Sequence, residues 1–250
     1  MYKQELMSVG NYRLHMMTMG KGSPAVIFEA GAGDDSTTWR QIPEMMAQFT
    51  SVCVYDRAGL GQSDSAPRPC TAASLEGPYV LVGHSLGALI SRLYAQYYPQ
   101  DVVGMALIDG PHPDQGNRFA AALIAAGYID HKGVQAILEA ARGVDPEYHP
   151  EGLDFAASLT QVDTAHTFGD IPLVIITAGK PPAWEDSALP IGAALVFHRA
   201  WHEMQADLVK LSAKGMHIIA KQSGHYIHWD EPGLVIEAIR QVVMETRKTT

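Results

Sequence analysis

Short apolar runs alternate with longer stretches of helical spacing along this chain. Residues 25–29, 52–55, 79–82 and 103–108 are apolar at nearly every position, the pattern of strands buried on both faces. Two further runs come late, at 173–177 and 217–220. Residues 2–9 and 11–19 alternate instead, and Gly10-Asn11 separates them, which predicts an antiparallel hairpin at a sheet edge. Helical spacing covers 41–49, 86–97, 119–126, 134–141, 199–211 and 234–246. This alternation predicts an α/β fold, a mostly parallel eight-stranded sheet with helices on both faces. Residues 111–170 break the alternation and are rich in Ala and Gly. They read as a small helical lid over the carboxyl edge of the sheet, with 1–110 and 171–250 as the core. The crossover between Asp56 and Tyr79 is dominated by Gly, Pro and Ser, and only 71–75 has the pattern to start a helix. A parallel crossover usually carries a full helix, so one sheet face is expected to be thinly covered.

Composition narrows the function classes. Lys and Arg number 18 against 27 Asp and Glu, a net charge of −9, and there is no basic run. Nucleic acid and anionic membrane are therefore poor partners, and a small molecule is the expected one. No apolar stretch reaches bilayer length. The start, Met1-Tyr2-Lys3-Gln4-Glu5, lacks a basic-then-apolar signal region. Cys53 falls in a strand-like run and Cys70 in a loop, without disulfide-framework or metal-ligand spacing. Both read as thiols of a reducing, cytoplasmic compartment, although a trimmed secreted form fits as well. No cofactor or metal is expected.

The chemistry is concentrated at Gly83-His84-Ser85-Leu86-Gly87, between the run 79–82 and the helical stretch 86–97. A serine between a buried strand and a helix, flanked by glycines, is a nucleophile elbow. The helix behind it aims amides and the positive end of its dipole at any oxyanion formed there. A serine hydroxyl also needs a base, and a histidine titrates in the right range. Ser223-Gly224-His225-Tyr226-Ile227-His228 follows the last strand, and His225 is favoured over His228, which reads as a packing residue beside Trp229. His84 reads as a pocket-wall or turn residue with Gly31, and His217 as a strand residue. His112, His131, His149, His166, His198 and His202 read as lid or surface. The orienting carboxylate is expected at Asp109, closing the strand after the elbow helix, with Glu185 and Asp186 as alternatives. Two amides are expected to hold the oxyanion, those of Leu86 and of Ala32 in Glu29-Ala30-Gly31-Ala32-Gly33. That turn lacks the third glycine of a dinucleotide fingerprint. His225 and His228 have nothing beside them to complete a metal set.

In this order of parts the chain resembles the α/β-hydrolase superfamily, and the resemblance covers nearly its whole length. Asp56-Arg57-Ala58-Gly59-Leu60-Gly61-Gln62-Ser63-Asp64 is similar to that family's D-x-R-G-x-G-x-S turn, which the resemblance implies is structural. Ser85 stands at the nucleophile position, where relatives that cleave carbon–halogen bonds or epoxides carry aspartate. The resemblance therefore implies ester-type hydrolysis. The sequence departs from the family in having Ala30-Gly31 for the usual H-G, and in having no carboxylate directly after the strand 173–177. The expected activity is serine esterase action on small carboxylic esters. A lactonase, thioesterase, amidase, carbon–carbon hydrolase or perhydrolase would use the same residues, and a binding protein with little turnover is the rival from another class.

Overall fold

The computed structural model describes residues 2–65, 78–142, 151–162, 166–181 and 189–249. Its frame is one eight-stranded sheet: β1 (Tyr2–Val9), β2 (Tyr12–Met19), β3 (Ala25–Glu29), β4 (Val52–Tyr55), β5 (Tyr79–His84), β6 (Val102–Ile108), β7 (Leu173–Ala178) and β8 (Gly215–Ala220). The spatial order is β1-β2-β4-β3-β5-β6-β7-β8. β1 pairs antiparallel with β2 and β2 with β4, while all later pairings are parallel. Gly10, at φ +62°, turns the hairpin with Asn11, and Val9 lies opposite Tyr12.

The two-residue period of the central strands divides the core in two. Val80, Val82, Ala106, Ile108, Val174 and Ile176 face one side. There they pack against α1 (Ile42–Met46) and α8 (Pro232–Thr249). Leu81, Met105, Leu107, Leu173 and Ile175 face the other, with α2 (Leu86–Tyr97) and the end of α6 (Ile191–Val209). Each buried aliphatic side chain contributes about 1.5–3 kcal/mol, so a one-residue slip of any central strand would be prohibitive.

The stretch after β6 carries α3 (Gln115–Ala125), α4 (Lys132–Arg142) and α5 (Phe155–Gln161). Phe119 and Leu123 of α3 and Val134 and Leu138 of α4 pack on Ala193, Ala200 and Met204 of α6. α5 instead settles on α2, through Leu159 against Leu86 and Leu89. α6 begins at Ile191, eight residues before the sequence pattern predicts. The segment 191–197 is apolar at six of seven positions and contains Gly192, so its period is unreadable, and the packing against α3 and α4 makes it helical. α1 is shorter than predicted, ending at Met46, with turns closing residues 47–50. The thinly covered crossover, Cys70, Glu185, Asp186 and His149 lie in part or whole outside the described residues. No helix among the described residues is long and apolar enough to cross a membrane.

Candidate active site

β5 ends directly in α2, and Ser85 is the hinge between them. It adopts φ +53°, a conformation that costs a non-glycine residue of order 1 kcal/mol or more. Its neighbours allow the turn. A Cβ at Gly83 would run into the Gly87 carbonyl, and one at Gly87 into the Glu29 carbonyl. The Ser85 amide donates to the Ile108 carbonyl at 2.9 Å, tying the bend to the end of β6.

The same strand end carries Asp109, which also has a positive φ, +46°. Among the described residues only Arg40 shares that feature with Ser85 and Asp109 outside the glycines. Asp109 is 4% exposed, and both of its oxygens are engaged. Oδ1 accepts from the Ala178 amide at 3.1 Å and from the Trp201 indole at 2.8 Å. Oδ2 meets His225 Nδ1 at 2.7 Å. A carboxylate only accepts, so Nδ1 carries the hydrogen and Nε2 keeps its lone pair. His225 sits on the loop between β8 and the short α7 (Ile227–Asp230). That loop is anchored by the Gly224 amide on Asp230 (3.0 Å) and by the Ser223 hydroxyl on Glu231 (2.7 Å).

His228, three residues on, is in different surroundings. It is 1% exposed, lies against Trp39 and Trp229, and is within 3.2 Å of the Thr38 hydroxyl. Burial, with the neighbouring His225, pulls its pKa down to about 3. The side chain of His225 is 46% exposed. His84 is also buried, and burial holds it neutral, well below the usual imidazole range. Its Nε2–H donates to the His225 carbonyl at 3.0 Å, so His84 supports the histidine loop from beneath.

Ser85, Asp109 and His225 line one cavity of about 540 Å³. Its other walls are nearly all apolar: Phe119 from α3, Ile137 from α4, Phe155 from α5, and Phe197 and Trp201 from α6. Phe119 stacks on Phe197 at 3.8 Å between centroids. Gln115 is the polar exception. The expected pocket residues His84 and Gly31 are not among the lining residues. Gly31 instead borders His84 and Asp34, and a Cβ there would come within 3.0 Å of both. The sequence pattern points to neither Phe197, which precedes the predicted helix 199–211, nor Trp201, which lies inside that helix with nothing in its spacing to mark it as a cavity wall. Of the other histidines, His202 approaches the Ala178 carbonyl at 3.0 Å, and His217 the Thr177 hydroxyl at 2.7 Å. His112 is drawn down to about 4 by burial and by Arg118 and Arg92.

The turn after β3 carries Ala32. Arg57, from the motif after β4, reaches under it: Nη1 donates to Ala30 O at 2.6 Å and Nη2 to Gly31 O at 2.5 Å. The guanidinium also pairs with Glu29 at 2.7 Å, and Tyr55 donates its hydroxyl to the same carboxylate. Burial raises the Glu29 carboxyl even so, against the pull of Arg57 and Tyr55. Among the described residues no group of three or more His, Cys, Asp or Glu side chains is placed to hold a metal ion.

Comparison with known proteins agrees with this layout. The uncharacterized protein YqjL of Bacillus subtilis (strain 168) is 27% identical over 237 residues, 89% of this chain and 85% of YqjL. A thermophilic esterase from Thermogutta terrifontis superposes with a TM-score of 0.59 at 19% identity, over 98% of this chain and 99% of the esterase. A haloalkane dehalogenase loop variant from Bradyrhizobium elkanii gives 0.64 at 15% identity, over 100% and 98%. These two structures share the fold while acting on different bonds. Residues 26–238, a span running from β3 into α8, match the family model, and the chain belongs to the alpha/beta hydrolase family.

Proposed function

We propose that this protein is a serine hydrolase of small carboxylic esters, working through an acyl-enzyme. The observation that carries the reading is one apolar cavity bordered by Ser85, His225 and Asp109, with His225 Nδ1 2.7 Å from Asp109. Ser85 Oγ attacks the ester carbonyl while His225 Nε2 takes its proton. Asp109 holds the imidazole in the tautomer this requires and stabilises the imidazolium that results. The amides of Leu86 and Ala32 bind the tetrahedral oxyanion. Collapse expels the alcohol, which takes the proton from His225. A water then repeats the sequence to release the acid and restore Ser85. No cofactor takes part.

The insertion 111–170 acts as a lid that shapes the acyl pocket. Phe119, Ile137 and Phe155 give that pocket its apolar character, which suits a short-to-medium aliphatic or aryl acyl group. The aspartate nucleophile of the dehalogenases is replaced here by Ser85, which supports ester over carbon–halogen cleavage. The reading places the enzyme in the cytoplasm, a setting in which Cys53 stays a buried free thiol.

Ser85→Ala tests the reading. We expect an unchanged melting temperature and a loss of p-nitrophenyl ester hydrolysis by several orders of magnitude. Full activity in this variant overturns it. Stoichiometric labelling of the wild type by a fluorophosphonate, without multiple turnover on an ester and lactone panel, would move the protein to a binding role.

A further inference from the structure

The turn after β3 is held from outside the sheet. Glu151 belongs to the insertion, ahead of α5, and its side chain is 9% exposed. It meets Arg57 in a two-pronged pair: Oε2 accepts from Nε at 2.6 Å and Oε1 from Nη2 at 2.9 Å. Oε1 also accepts from the Gly33 amide at 2.8 Å. Glu151 thus grips both Gly33 directly and the guanidinium that binds the Ala30 and Gly31 carbonyls. Ala30, Gly31 and Gly33, which bracket Ala32 on both sides, are all tied to Glu151, 118 residues from Gly33: Gly33 directly, and the other two through Arg57, which Glu29 also holds at 2.7 Å. Glycines at 31 and 33 give this turn little stiffness of its own, with Gly33 at φ +75°.

We propose that Glu151 is a positioning residue for the oxyanion donor: docked on Arg57 and Gly33, it sets the direction of the Ala32 amide. This rests on the reading of Ala32 as such a donor. The Gly33 amide is spent on Glu151, which leaves the Ala32 N–H as the amide of this turn assigned to the reacting carbonyl. A buried, two-pronged arginine–carboxylate pair is the geometry that holds direction best, whereas the loss of one partner leaves the other charge buried. The oxyanion hole is in this way assembled jointly by the core and the insertion. Substrate-pocket walls and oxyanion geometry then depend on the same segment of chain.

Glu151→Gln is the test, since it keeps the size and removes the charge. On a p-nitrophenyl ester we expect kcat to fall about tenfold to a hundredfold, with KM within about twofold; the melting temperature should fall as well, because Arg57 loses a buried partner, but the fold should hold because Glu29 still pairs with Arg57. Inhibition by phenylboronic acid, which places a tetrahedral oxygen in the hole, should weaken by a similar factor. A merely structural residue would lower the melting temperature and leave the boronate affinity of the folded fraction intact. Wild-type kcat and boronate affinity in Glu151→Gln overturn the proposal. Ser85→Ala, run beside it, separates the two readings: activity surviving in Ser85→Ala sinks the serine mechanism, whereas an inert Ser85→Ala with a fully active Glu151→Gln sinks only the positioning role. Should Glu151→Gln not fold, amide exchange of wild-type Gly33, the amide bonded to Glu151, decides. Protection well above that of a free amide is expected there, and exchange at the rate of an open loop overturns the proposal.

Discussion

Two histidine–aspartate pairs of nearly the same local geometry sit at opposite sides of the sheet. His15 Nδ1 lies 2.9 Å from Asp56, and His225 Nδ1 lies 2.7 Å from Asp109. In the first, both side chains are buried, at 7% and 3% exposure. Asp56 also accepts from the amides of Ser36 (2.8 Å) and Gln62 (2.9 Å), so it ties β2, the turn after β3 and the motif after β4 into one knot. In the second, the aspartate is as deeply buried, but the imidazole opens onto an apolar cavity beside a serine on a strained turn. The pairing alone therefore does not distinguish structure from chemistry. What differs is the far nitrogen, which in His225 faces space that a substrate can enter.

The sharpest way to break this comparison is to neutralise each aspartate in turn. Asp109→Asn should keep the fold and lower kcat/KM on a p-nitrophenyl ester by about ten-thousandfold, because the amide favours the wrong imidazole tautomer. A loss below about tenfold would remove Asp109 from the proposed mechanism and send the search to Glu185 and Asp186. Asp56→Asn should do the reverse. It leaves buried donors from Ser36, Gln62 and His15 facing a weaker acceptor, which costs about 3 kcal/mol of stability by denaturant titration. The fraction that folds should keep kcat within about threefold. A large activity loss without a stability loss would erase the distinction drawn here.

These two aspartates were unequally legible in the sequence. Asp56 stood in a recognisable motif, and the elbow, the glycine turn and the histidine loop each announced themselves by local pattern: a buried run ending in glycine-flanked polar residues. Six of the eight strands follow from continuous apolar runs, the pattern of strands buried on both faces, and the antiparallel hairpin β1–β2 follows from alternation. The cavity does not. Phe197 enters it from first turns of α6 that have no readable period, Trp201 from the readable part of the same helix, and the role of both is set by α3 and α4 packing against them. Glu151 and Arg57 lie 94 residues apart, and no spacing rule connects a carboxylate in an irregular segment with a guanidinium in a distant turn. The elbow makes His84 read as a turn or pocket-wall residue; its ring is instead buried under the histidine loop, against His225, Tyr226 and His228.

Trp201 sharpens the comparison at a smaller scale. It is the donor that Asp109 has and Asp56 lacks, an indole that both walls the cavity and binds the acid. Trp201→Phe keeps most of the wall and removes one hydrogen bond. We expect a fall in kcat of about threefold to tenfold, the scale of one charge-assisted hydrogen bond partly replaced by water. Trp201→Ala should add a rise in KM for aryl esters, through the lost apolar contact. If Trp201→Phe matches the wild type at every substrate concentration, the indole serves only as wall.

The smallest effect concerns acid. Burial alone would raise the Asp56 carboxyl, but hydrogen bonds from Gln62, Ser36 and His15 outweigh it and hold the group below the ordinary carboxylate range. A lowered folded-state value means that the native protein binds fewer protons than the unfolded chain in that window. The resulting stability is fully present above about pH 4, the unfolded value, and drains away as pH falls toward the folded one. Melting temperatures taken from about pH 6 down to pH 2 should therefore drop more steeply for the wild type than for Asp56→Asn, and the two curves should converge at the acid end. Parallel curves would mean that Asp56 does not titrate with folding, and that its three bonds hold the knot together without drawing strength from its charge.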